Sequence, residues 1–441
     1  MALYTKGMHI YFSGIGGAGI SSLALIAHQV GFEVSGSDKQ DSGYIQHLKK
    51  HGITDVAIGQ DYAHIAKVHE QNPIDWFVYT SALPMEQPDA PELRFCEDQN
   101  IKHSKRDEFL NLLLQEKHLK LIAVAGTHGK TTTTAMAIWL FQRLAMPISY
   151  SIPAKISFGE MGKYDPDSEF FVYEADEFDR NFLSFTPYLS LITGVDWDHP
   201  DVYPTRENYI DAFQEFLEQS RHTFAWQSDA DYLQAEPSSA LQIMDDNDPE
   251  IADKLTLPGV VNRKDAWLVI CGVHELTGKP IDELVVHMNK FPGVARRFEQ
   301  IEPRLYSDYA HTPPKIRGAL QLAHEVAGQN VVVVYEGLHN TRQHFIKDDL
   351  RHMFDGVKHL YIVPSYLARE DPSLKLLAPS DLRDLMSVKT QAHADTANLD
   401  GNLAQAIRQH LQSGDLVICL SAGGGGSLHE WLTSTFRLST D

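Results

Sequence analysis

Short apolar runs alternate along the chain with segments of helical length. Continuous apolar runs are typical of strands that are buried on both faces of a parallel sheet. Strands that alternate with helices predict right-handed crossovers and therefore an α/β fold. The predicted strands are residues 9–13, 32–37, 75–81, 121–125, 170–175, 188–193, 305–309, 331–335, 359–363 and 415–420.

These elements fall into three blocks, which we interpret as three domains. The first block ends with a predicted helix at 106–117, and the third starts near the Phe-Pro-Gly turn at Phe291. We therefore expect domains at 1–117, 118–292 and 293–441. A chain of 441 residues fits two or three domains better than one core. The polar stretch 227–253 is predicted to form peripheral strands and loops.

The composition is that of a globular protein, with 43% hydrophobic and 22% charged residues. The formal net charge of −21 disfavours binding to nucleic acid or to an anionic membrane. An anionic substrate would therefore need local donors. Three separated cysteines, Cys96, Cys271 and Cys419, lack metal-site spacing and suit a reducing compartment. With no apolar span of about 20 residues, we expect a cytoplasmic protein that binds no membrane.

A phosphate-binding loop is predicted where the strand at 121–125 meets the next helix. Gly126 and Gly129 bound a tight turn, and Lys130 and Thr131 open the helix. Backbone N–H groups and the positive end of a helix attract phosphate at such a junction. Lysine can reach the β/γ-phosphates, and the threonine hydroxyl can bind Mg2+. Val124 stands where the general pattern has its first glycine, so this loop is shorter. A plain strand-to-helix turn is the alternative.

A second glycine loop lies near the start of the chain. Gly14, Gly16 and Gly19 match G-x-G-x-x-G between a strand and a helix, and Asp38 ends the next strand. Glycine permits a tight turn and the close approach of a pyrophosphate. This loop alone suggests an NAD-dependent oxidoreductase, although any nucleotide diphosphate satisfies the same geometry. A turn that only packs a helix on a sheet is the other alternative.

Acidic residues and a histidine follow two strands of the second block. Glu174 and Asp176 end one strand, and Asp198 and His199 follow the next. The carboxyl ends of parallel strands share one edge of the sheet, so a Mg2+ ligand set is expected beside the phosphate loop. Glu177 is the weaker candidate, because strand alternation would direct it away from Glu174. Capping of the next segment is the alternative role for these acids.

Further polar candidates are less specific. His128 lies inside the phosphate loop, where it could contact phosphate or substrate, or stabilise the turn. In the third block, Asp308 could accept ribose hydroxyls, and His311 precedes a helix that begins at Pro313 or Pro314. Arg297 and Arg342 carry positive charge. Arg342 could pair with a carboxylate or a γ-phosphate. An ordinary surface or capping role is equally open for these third-block residues.

Taken in order, these segments resemble the Mur ligases, the ATP-dependent amino-acid ligases of peptidoglycan synthesis. The resemblance covers nearly the whole chain, and the short Gly-Thr-His-Gly-Lys-Thr loop is its most specific motif. The motifs that carry it are Gly14-Ile-Gly-Gly-Ala-Gly-Ile-Ser21, Ser35-Gly-Ser-Asp38, Gly126-Thr-His-Gly-Lys-Thr-Thr-Thr133, Glu174-Ala-Asp-Glu177, Asp198-His199, Gly293-Val-Ala-Arg-Arg-Phe298 and Asp308-Tyr-Ala-His311.

The resemblance implies an architecture and a reaction. An N-terminal Rossmann-like domain would hold the UDP-sugar, a central P-loop ATPase-like parallel sheet would hold ATP, and a C-terminal Rossmann-like domain would bring the amino acid. The lactyl carboxylate of UDP-N-acetylmuramate would attack the γ-phosphate of ATP, and the amine of L-alanine would then attack the acyl phosphate. A monomer or homodimer is expected, and domain closure would exclude water.

The resemblance also implies roles for individual residues. Lys130, Glu174, His199, His311 and Arg342 would be catalytic. Mg2+ would be held by Thr131, Glu174 and His199. ATP would be bound by Gly126, Thr127, His128, Gly129, Lys130, Thr131, Thr132, Asn262, Arg297 and Asp308. The UDP-sugar and the amino acid would be bound by Gly14, Gly16, Gly17, Ala18, Gly19, Asp38, Ser81, His311 and Arg342.

Several positions depart from the family pattern. Thr312 stands where the alanine-adding branch has a second histidine, and Gly194 stands where asparagine is usual. Val261 and Asp265 replace a usual histidine and asparagine. The glycine-rich loop 421–427 is closer to the recycling ligase, which adds the tripeptide L-Ala-γ-D-Glu-meso-diaminopimelate. The acceptor therefore stays open between L-alanine and this tripeptide.

Two readings outside ligation remain at this point. An NAD-dependent oxidoreductase would explain the first glycine loop but would leave Lys130, Thr131 and Glu174 without a role. A nucleotide-binding protein without catalytic activity would leave the complete lysine, threonine, glutamate and histidine set unused.

Overall fold

The computed structural model describes residues 7–199, 202–367 and 370–437. It is an α/β structure with three separate, mostly parallel sheets. The predicted fold class is therefore confirmed.

The first sheet has five parallel strands in the order β3-β2-β1-β4-β5. Its glycine loop follows the central strand, where the chain changes direction across the sheet, which is the usual ligand position in such folds. The elements are β1 (His9–Ser13), α1 (Ala18–Val30), β2 (Glu33–Asp38), α2 (Gly43–Lys50), β3 (Val56–Ile58), α3 (Tyr62–Gln71), β4 (Trp76–Tyr79), α4 (Ala82–Glu86), α5 (Pro91–Asp98), β5 (Lys102–Lys105) and α6 (Arg106–Glu116).

The second sheet has seven strands in the order β12-β11-β10-β6-β9-β7-β8, with only its β7–β8 pair antiparallel. Its elements are β6 (Lys120–Ala125), α7 (Lys130–Arg143), β7 (Ser149–Ser151), β8 (Gly162–Lys163), β9 (Phe170–Glu174), a 3-10 segment (Phe178–Ser184), β10 (Leu189–Ile192), α8 (Arg206–Gln219), β11 (Thr223–Trp226), α9 (Gln227–Tyr232), β12 (Leu241–Met244), α10 (Pro249–Lys254), α11 (Val260–Thr277) and α12 (Ile281–Met288).

The third sheet has six strands in the order β13-β14-β18-β15-β16-β17, and β13 is antiparallel to β14. Its elements are β13 (Glu299–Glu302), β14 (Leu305–Asp308), α13 (Pro313–Ala327), β15 (Val331–Leu338), α14 (Asn340–Leu350), β16 (His359–Tyr366), α15 (Pro379–Leu385), α16 (Val388–Gln391), β17 (Ala394–Thr396), α17 (Gly401–Gln412), β18 (Leu416–Leu420) and α18 (Leu428–Phe436).

The chain divides into two compact units. The first unit contains both N-terminal sheets and extends through Leu255 and Lys264–Pro292. One continuous apolar cluster spans these two sheets, with Phe12 and Trp76 in the first and Phe171 in the second. The second unit comprises Thr256–Arg263 and the chain from Gly293 onward. The first two sheets therefore share a core.

Most predicted elements are confirmed. The strand at 9–13 is found as β1, and the predicted helix starts at Arg106 and Pro313 are those of α6 and α13. The polar stretch 227–253 carries edge strand β12, as expected, but also the helices α9 and α10. Among the described residues, no helix combines the length and apolar character that crossing a bilayer requires.

Candidate functional site

The phosphate loop lies between β6 and α7 and depends on two glycines. Gly126 has φ of +143° and Gly129 has φ of +82°. Residues with a side chain rarely adopt such positive φ angles. A Cβ at Gly126 would lie 2.6 Å from the Thr193 hydroxyl oxygen, so the loop also packs too closely for a side chain. Lys130 is the first residue of α7, as predicted.

The end of β10 holds this loop in place. The Thr127 N–H donates to the Gly194 carbonyl at 2.7 Å. The Thr127 hydroxyl contacts the Asp196 backbone and lies 2.7 Å from the Tyr209 hydroxyl. The Thr193 hydroxyl donates to the His128 carbonyl. These bonds satisfy loop groups that a freely moving turn would leave to water, so the loop has a fixed shape.

Gly194 has a structural reason to replace the usual asparagine. Its φ is +150°, and a Cβ there would lie 3.0 Å from Cδ2 of His128. The imidazole of His128 therefore lies where a side chain at position 194 would begin. The loop histidine and this glycine fit together as a pair.

Lys130 is held by the loop and by a neighbouring carboxylate. Its Nζ donates to the Gly126 carbonyl and to Oε2 of Glu177, both at 2.6 Å. Burial disfavours the charged ammonium, but Glu177, Asp176 and Glu174 together raise the pKa of Lys130. Lys130, whose side chain is 12% exposed, is thus a charged ammonium among three acids.

Glu177 faces Lys130, a direction that strand alternation does not predict. Strand alternation would direct it away from Glu174, but β9 ends at Glu174 and the chain continues as an irregular segment. The side chain of Glu177 is 1% exposed, and its Oε1 lies 3.8 Å from Nε2 of His199. Glu177 therefore links Lys130 to His199.

The other predicted acids gather around the same lysine. The negative charge of Glu174 raises the pKa of Lys130, and His199 lies 3.9 Å from Asp198. Burial raises the pKa of Asp176, but Lys130 and Arg106 lower it more. The predicted convergence at one sheet edge is therefore present.

This donor set fits a hard divalent cation. Carboxylates outnumber cationic side chains around Lys130, and Thr131 in the first turn of α7 is 6% exposed. Oxygen ligands of this kind are those that Mg2+ prefers. Thr131 in α7, Glu174 at the end of β9 and His199 after β10 stay our prediction for the metal ligands.

Arg106 lies between the first glycine loop and the acids around Lys130. A Cβ at Gly19 would lie 2.2 Å from a terminal nitrogen of Arg106. The other terminal nitrogen lies 3.7 Å from Asp176, and Nε lies 3.4 Å from Asp107. Tyr173 on β9 donates to Asp107 at 2.8 Å. The start of α6 therefore joins the first glycine loop to the acids around Lys130.

The first glycine loop is held by its neighbouring strand. The N–H groups of Gly14 and Ile15 both donate to the Ser37 carbonyl, and Gly14 has φ of +80°. The Gly16 N–H donates to Oδ2 of Asp38 at 2.8 Å. Gly17 directly precedes α1, whose first residues are Ala18 and Gly19. In this structure Asp38 supports the turn.

Ser81 lies at the same edge of the first sheet, directly before α4. Its hydroxyl donates to Oδ1 of Asn181 at 3.1 Å. Lys105 pairs with Asp179 at 2.5 Å, next to residues with positive φ. The segment after Glu177 is therefore attached to the first domain at two points.

The second unit has its own polar group at the end of β14. Burial raises the pKa of Asp308 to about 6, against the opposing effect of Arg297. The guanidinium carbons of Arg297 and Arg296 lie 4.8 and 4.6 Å from the Tyr309 ring centre. His311 stacks edge-on against the same ring at 5.1 Å. Arg297, Asp308 and His311 are thus brought together around Tyr309.

Two other candidates lie elsewhere in the second unit. Arg342 is in the first turn of α14, after β15, which is separated from β14 by β18. Asn262 donates to the Pro258 carbonyl at 2.9 Å, and the adjacent Arg263 pairs with Glu325 of α13 at 2.6 Å. The segment that carries Asn262 is therefore tied to α13.

The glycine-rich loop 421–427 is also fixed. Arg296 donates to the carbonyls of Ser421 and Gly423 at 3.1 and 3.0 Å. The buried Glu336 accepts from the Ser421 hydroxyl at 2.5 Å. A Cβ at Gly423 would lie 2.6 Å from the Tyr366 ring. The glycine therefore permits close packing on an aromatic residue.

Asp265 on α11 lies beside the phosphate loop, a contact that the sequence did not predict. A Cβ at Gly129 would lie 2.9 Å from its carboxyl oxygen, which places Asp265 against the phosphate loop. Burial raises its pKa well above the usual range. A neutral carboxyl group can donate a hydrogen bond as an amide does. Asp265 thus resembles the asparagine that it replaces.

Comparisons with known proteins agree with this arrangement. The Mur ligase family catalytic domain matches residues 9–118, the Mur ligase middle domain matches 124–240, and the Mur ligase glutamate ligase domain matches 296–423. The UDP-N-acetylmuramate–L-alanine ligase of Brucella anthropi is 28% identical, over 96% of this chain and 95% of the relative. That of Brucella ovis is 27% identical over the same shares.

Two solved structures are also similar. The UDP-N-acetylmuramate–alanine ligase of Thermotoga maritima has a TM-score of 0.73 and 22% identity, covering 98% of this chain and 97% of that one. The UDP-N-acetylmuramate:L-alanyl-γ-D-glutamyl-meso-diaminopimelate ligase of Neisseria meningitides has a TM-score of 0.56 and 25% identity, covering 66% and 100%. With three family domains matched in order, the chain belongs to the Mur ligase family.

Proposed function

We propose that this protein is an ATP-dependent ligase that joins L-alanine to the lactyl carboxylate of UDP-N-acetylmuramate, as a step of peptidoglycan synthesis. The observation that supports this most is the pair of Lys130, at the start of α7, with the buried Glu177, beside Glu174 and His199. The two Brucella ligases that match over nearly their whole length support the choice of substrates.

The chemistry has to bring anions together. A carboxylate attacks the terminal phosphate of ATP, so negative charge builds up in the transition state. Lys130 would exchange the Gly126 carbonyl and Glu177 for phosphate oxygens, while the N–H groups of residues 126–132 surround the phosphate chain. Bound Mg2+ would supply further positive charge, held by Thr131, Glu174 and His199.

We propose the first glycine loop as the UDP-sugar site. Gly14, Gly16, Gly17, Ala18 and Gly19 would hold the pyrophosphate at the start of α1, where the helix dipole favours an anion. Asp38 and Ser81 would lie near the uridine. The supporting feature is Arg106, which touches this loop and the acids around Lys130.

The third domain would complete the site. Asn262, Arg297 and Asp308 are proposed to contact the nucleotide, and His311 and Arg342 the incoming amino acid. The boundaries 1–117, 118–292 and 293–441 remain our proposal for the domains. Closure of the third domain would exclude water from the acyl phosphate. A cytoplasmic location, no binding to nucleic acid or membrane, and a monomeric or homodimeric state are also proposed.

A tripeptide acceptor is the second candidate. The glycine-rich loop 421–427, packed against Tyr366, favours it, and Thr312 at the start of α13 departs from the alanine-adding pattern. The Neisseria ligase, whose name includes this tripeptide, also matches. An NAD-dependent oxidoreductase would leave the Lys130–Glu177 pair without a function.

The test is ADP release with purified protein, ATP, Mg2+ and UDP-N-acetylmuramate. Each reaction receives L-alanine, the tripeptide, another amino acid or no amine. Release that requires L-alanine supports the proposal, and release that requires the tripeptide replaces it with the second candidate. Nicotinamide reduction without ADP release would contradict both.

A further inference from the structure

A group of metal-ligating side chains lies apart from the catalytic centre. His47 on α2 and His51 directly after α2 face Glu160, which precedes β8 of the second sheet. One ligand atom of each residue lies within 4.8 Å of the other two. The side chains are 25%, 33% and 47% exposed, so ions in solution can reach them.

The spacing of these atoms suits one ion. Nε2 of His47 lies 2.8 Å from one carboxylate oxygen of Glu160, and Nε2 of His51 lies 3.6 Å from the other. Ligands of tetrahedral Zn2+ are about 3.4 Å apart, given Zn–N bonds of about 2.0–2.1 Å. Small side-chain rotations would bring all three atoms to such distances.

The histidines are oriented with nitrogens toward the carboxylate. Nδ1 of His51 lies 2.9 Å from the His47 carbonyl, which only accepts, so Nδ1 donates the proton. In the neutral ring, Nε2 then has its lone pair toward Glu160. Nε2 of His47 also faces the Glu160 carboxylate, at 2.8 Å. In metal-binding histidines the ring nitrogen that does not face the metal usually donates to a carbonyl or a carboxylate, as Nδ1 of His51 does here.

The backbone that carries Glu160 is fixed against the first domain. A Cβ at Gly162 would lie 2.3 Å from the Ser22 carbonyl oxygen, and Ser22 and Ser151 share a 2.7 Å hydrogen bond. The Tyr164 N–H donates to Gln29 of α1 at 2.6 Å. The carboxylate is therefore held opposite the histidines without an ion, and binding needs little backbone ordering.

We propose that His47, His51 and Glu160 form a Zn2+ site that joins α2 of the first domain to the β7–β8 hairpin of the second. Two imidazoles and one carboxylate are a donor set for Zn2+, with water in the fourth position. The exposed Lys155 is a nearby positive charge that opposes the ion.

Binding is measured with the full chain, free of any purification tag and stripped with EDTA. Zn2+ titration by calorimetry, and Co2+ titration by visible absorption, are compared for the parent, His51→Ala, Glu160→Gln and the control His103→Ala. We expect the first two variants to lose one bound ion or to bind it at least about 10-fold more weakly. Lys155→Ala should bind more tightly, and His103→Ala should match the parent.

Thermal melting distinguishes a lost site from a damaged fold. In EDTA all variants should melt like the parent, because the side chains are partly exposed. Zn2+ should raise the melting temperature of the parent but not that of His51→Ala. Equal Zn2+ stoichiometry and affinity in the parent, His51→Ala and Glu160→Gln would overturn the proposal, and so would no binding by the parent. The group would then be a histidine–carboxylate ion pair.

Discussion

The guanidinium of Arg106 lies 3.7 Å from the carboxylate of Asp176, between the first glycine loop and the acids around Lys130. Burial lowers the pKa of Arg106, but Asp107, Tyr173 and Asp176 raise it by more, so the guanidinium stays charged. One side chain from α6 thus links the first glycine loop to the acids beside the phosphate loop. Changes at the UDP-sugar loop and at the phosphate loop should therefore be coupled.

Arg106→Ala tests this coupling. Arg106 is 18% exposed and Asp176 35% exposed, but removing Arg106 leaves the buried Asp107 without its charged partner, which costs about 1–2 kcal/mol. We expect the free energy of unfolding to fall by that amount in chemical denaturation, and the KM for both ATP and UDP-N-acetylmuramate to rise. The control Arg94→Ala, on the exposed side of α5, should resemble the parent. A variant with altered KM for only one substrate would contradict the coupling.

Lys130→Met should lower the ligation rate about 100- to 1,000-fold, because it removes a positive group from the developing charge. It should also destabilise the protein, since Glu177 would stay buried without its lysine. The double variant Lys130→Met/Glu177→Gln should recover most of the lost stability but none of the lost activity. A denaturation series on the parent, both single variants and the double variant measures this. Additive stability losses would show that the pair is not coupled.

Gly194→Ala should lower the free energy of unfolding by about 1–2 kcal/mol. The positive φ of residue 194 is unfavourable for alanine, and the added Cβ would press against His128. Replacing His128 by alanine removes the contact but not the backbone strain. The cost of Gly194→Ala should therefore be smaller in the His128→Ala background. Chemical denaturation of the four proteins measures it. The same cost in both backgrounds would exclude the proposed fit between glycine and histidine.

Asp229 should make stability depend on pH. Burial raises its pKa to about 7, although its Oδ1 accepts the Val195 N–H at 2.8 Å. In the unfolded chain the pKa is about 3.9. Between these values the unfolded state loses its proton first, so the free energy of unfolding falls as pH rises, by at most about 1.4 kcal/mol per unit.

Asp229→Asn removes this dependence and keeps the acceptor for Val195. The variant should therefore gain stability relative to the parent as pH rises from 4 to 7, and the difference should level off above pH 7. Denaturation at a series of pH values checks it. A difference that stays constant over this range would mean that Asp229 is ionised throughout in the folded protein.

Much of the fold could be read from local pattern. Buried parallel strands are continuous apolar runs, so β1, β6 and β9 were found at or within a residue or two of their limits. Short edge strands such as β3 and β8 were missed, because a few residues carry no periodicity. The shared core of the first two sheets also depends on contacts far apart in sequence.

The position of a site residue was predictable where it follows from the residue's own motif. Lys130 opens α7, and Glu174 ends β9, as the spacing indicated. Glu177 was misjudged because the strand ends before it, and backbone angles after it are irregular. Arg106 and Asp265 gave no local signal, since their partners belong to other elements.

The direct test of the central claim follows oxygen from the sugar acid. UDP-N-acetylmuramate labelled with oxygen-18 in its lactyl carboxylate is ligated with L-alanine and ATP in unlabelled water, and the released phosphate is analysed by mass spectrometry. We expect one labelled oxygen per phosphate, because the carboxylate attacks the γ-phosphate and its oxygen leaves with that phosphate. Unlabelled phosphate, or label in AMP, would contradict it.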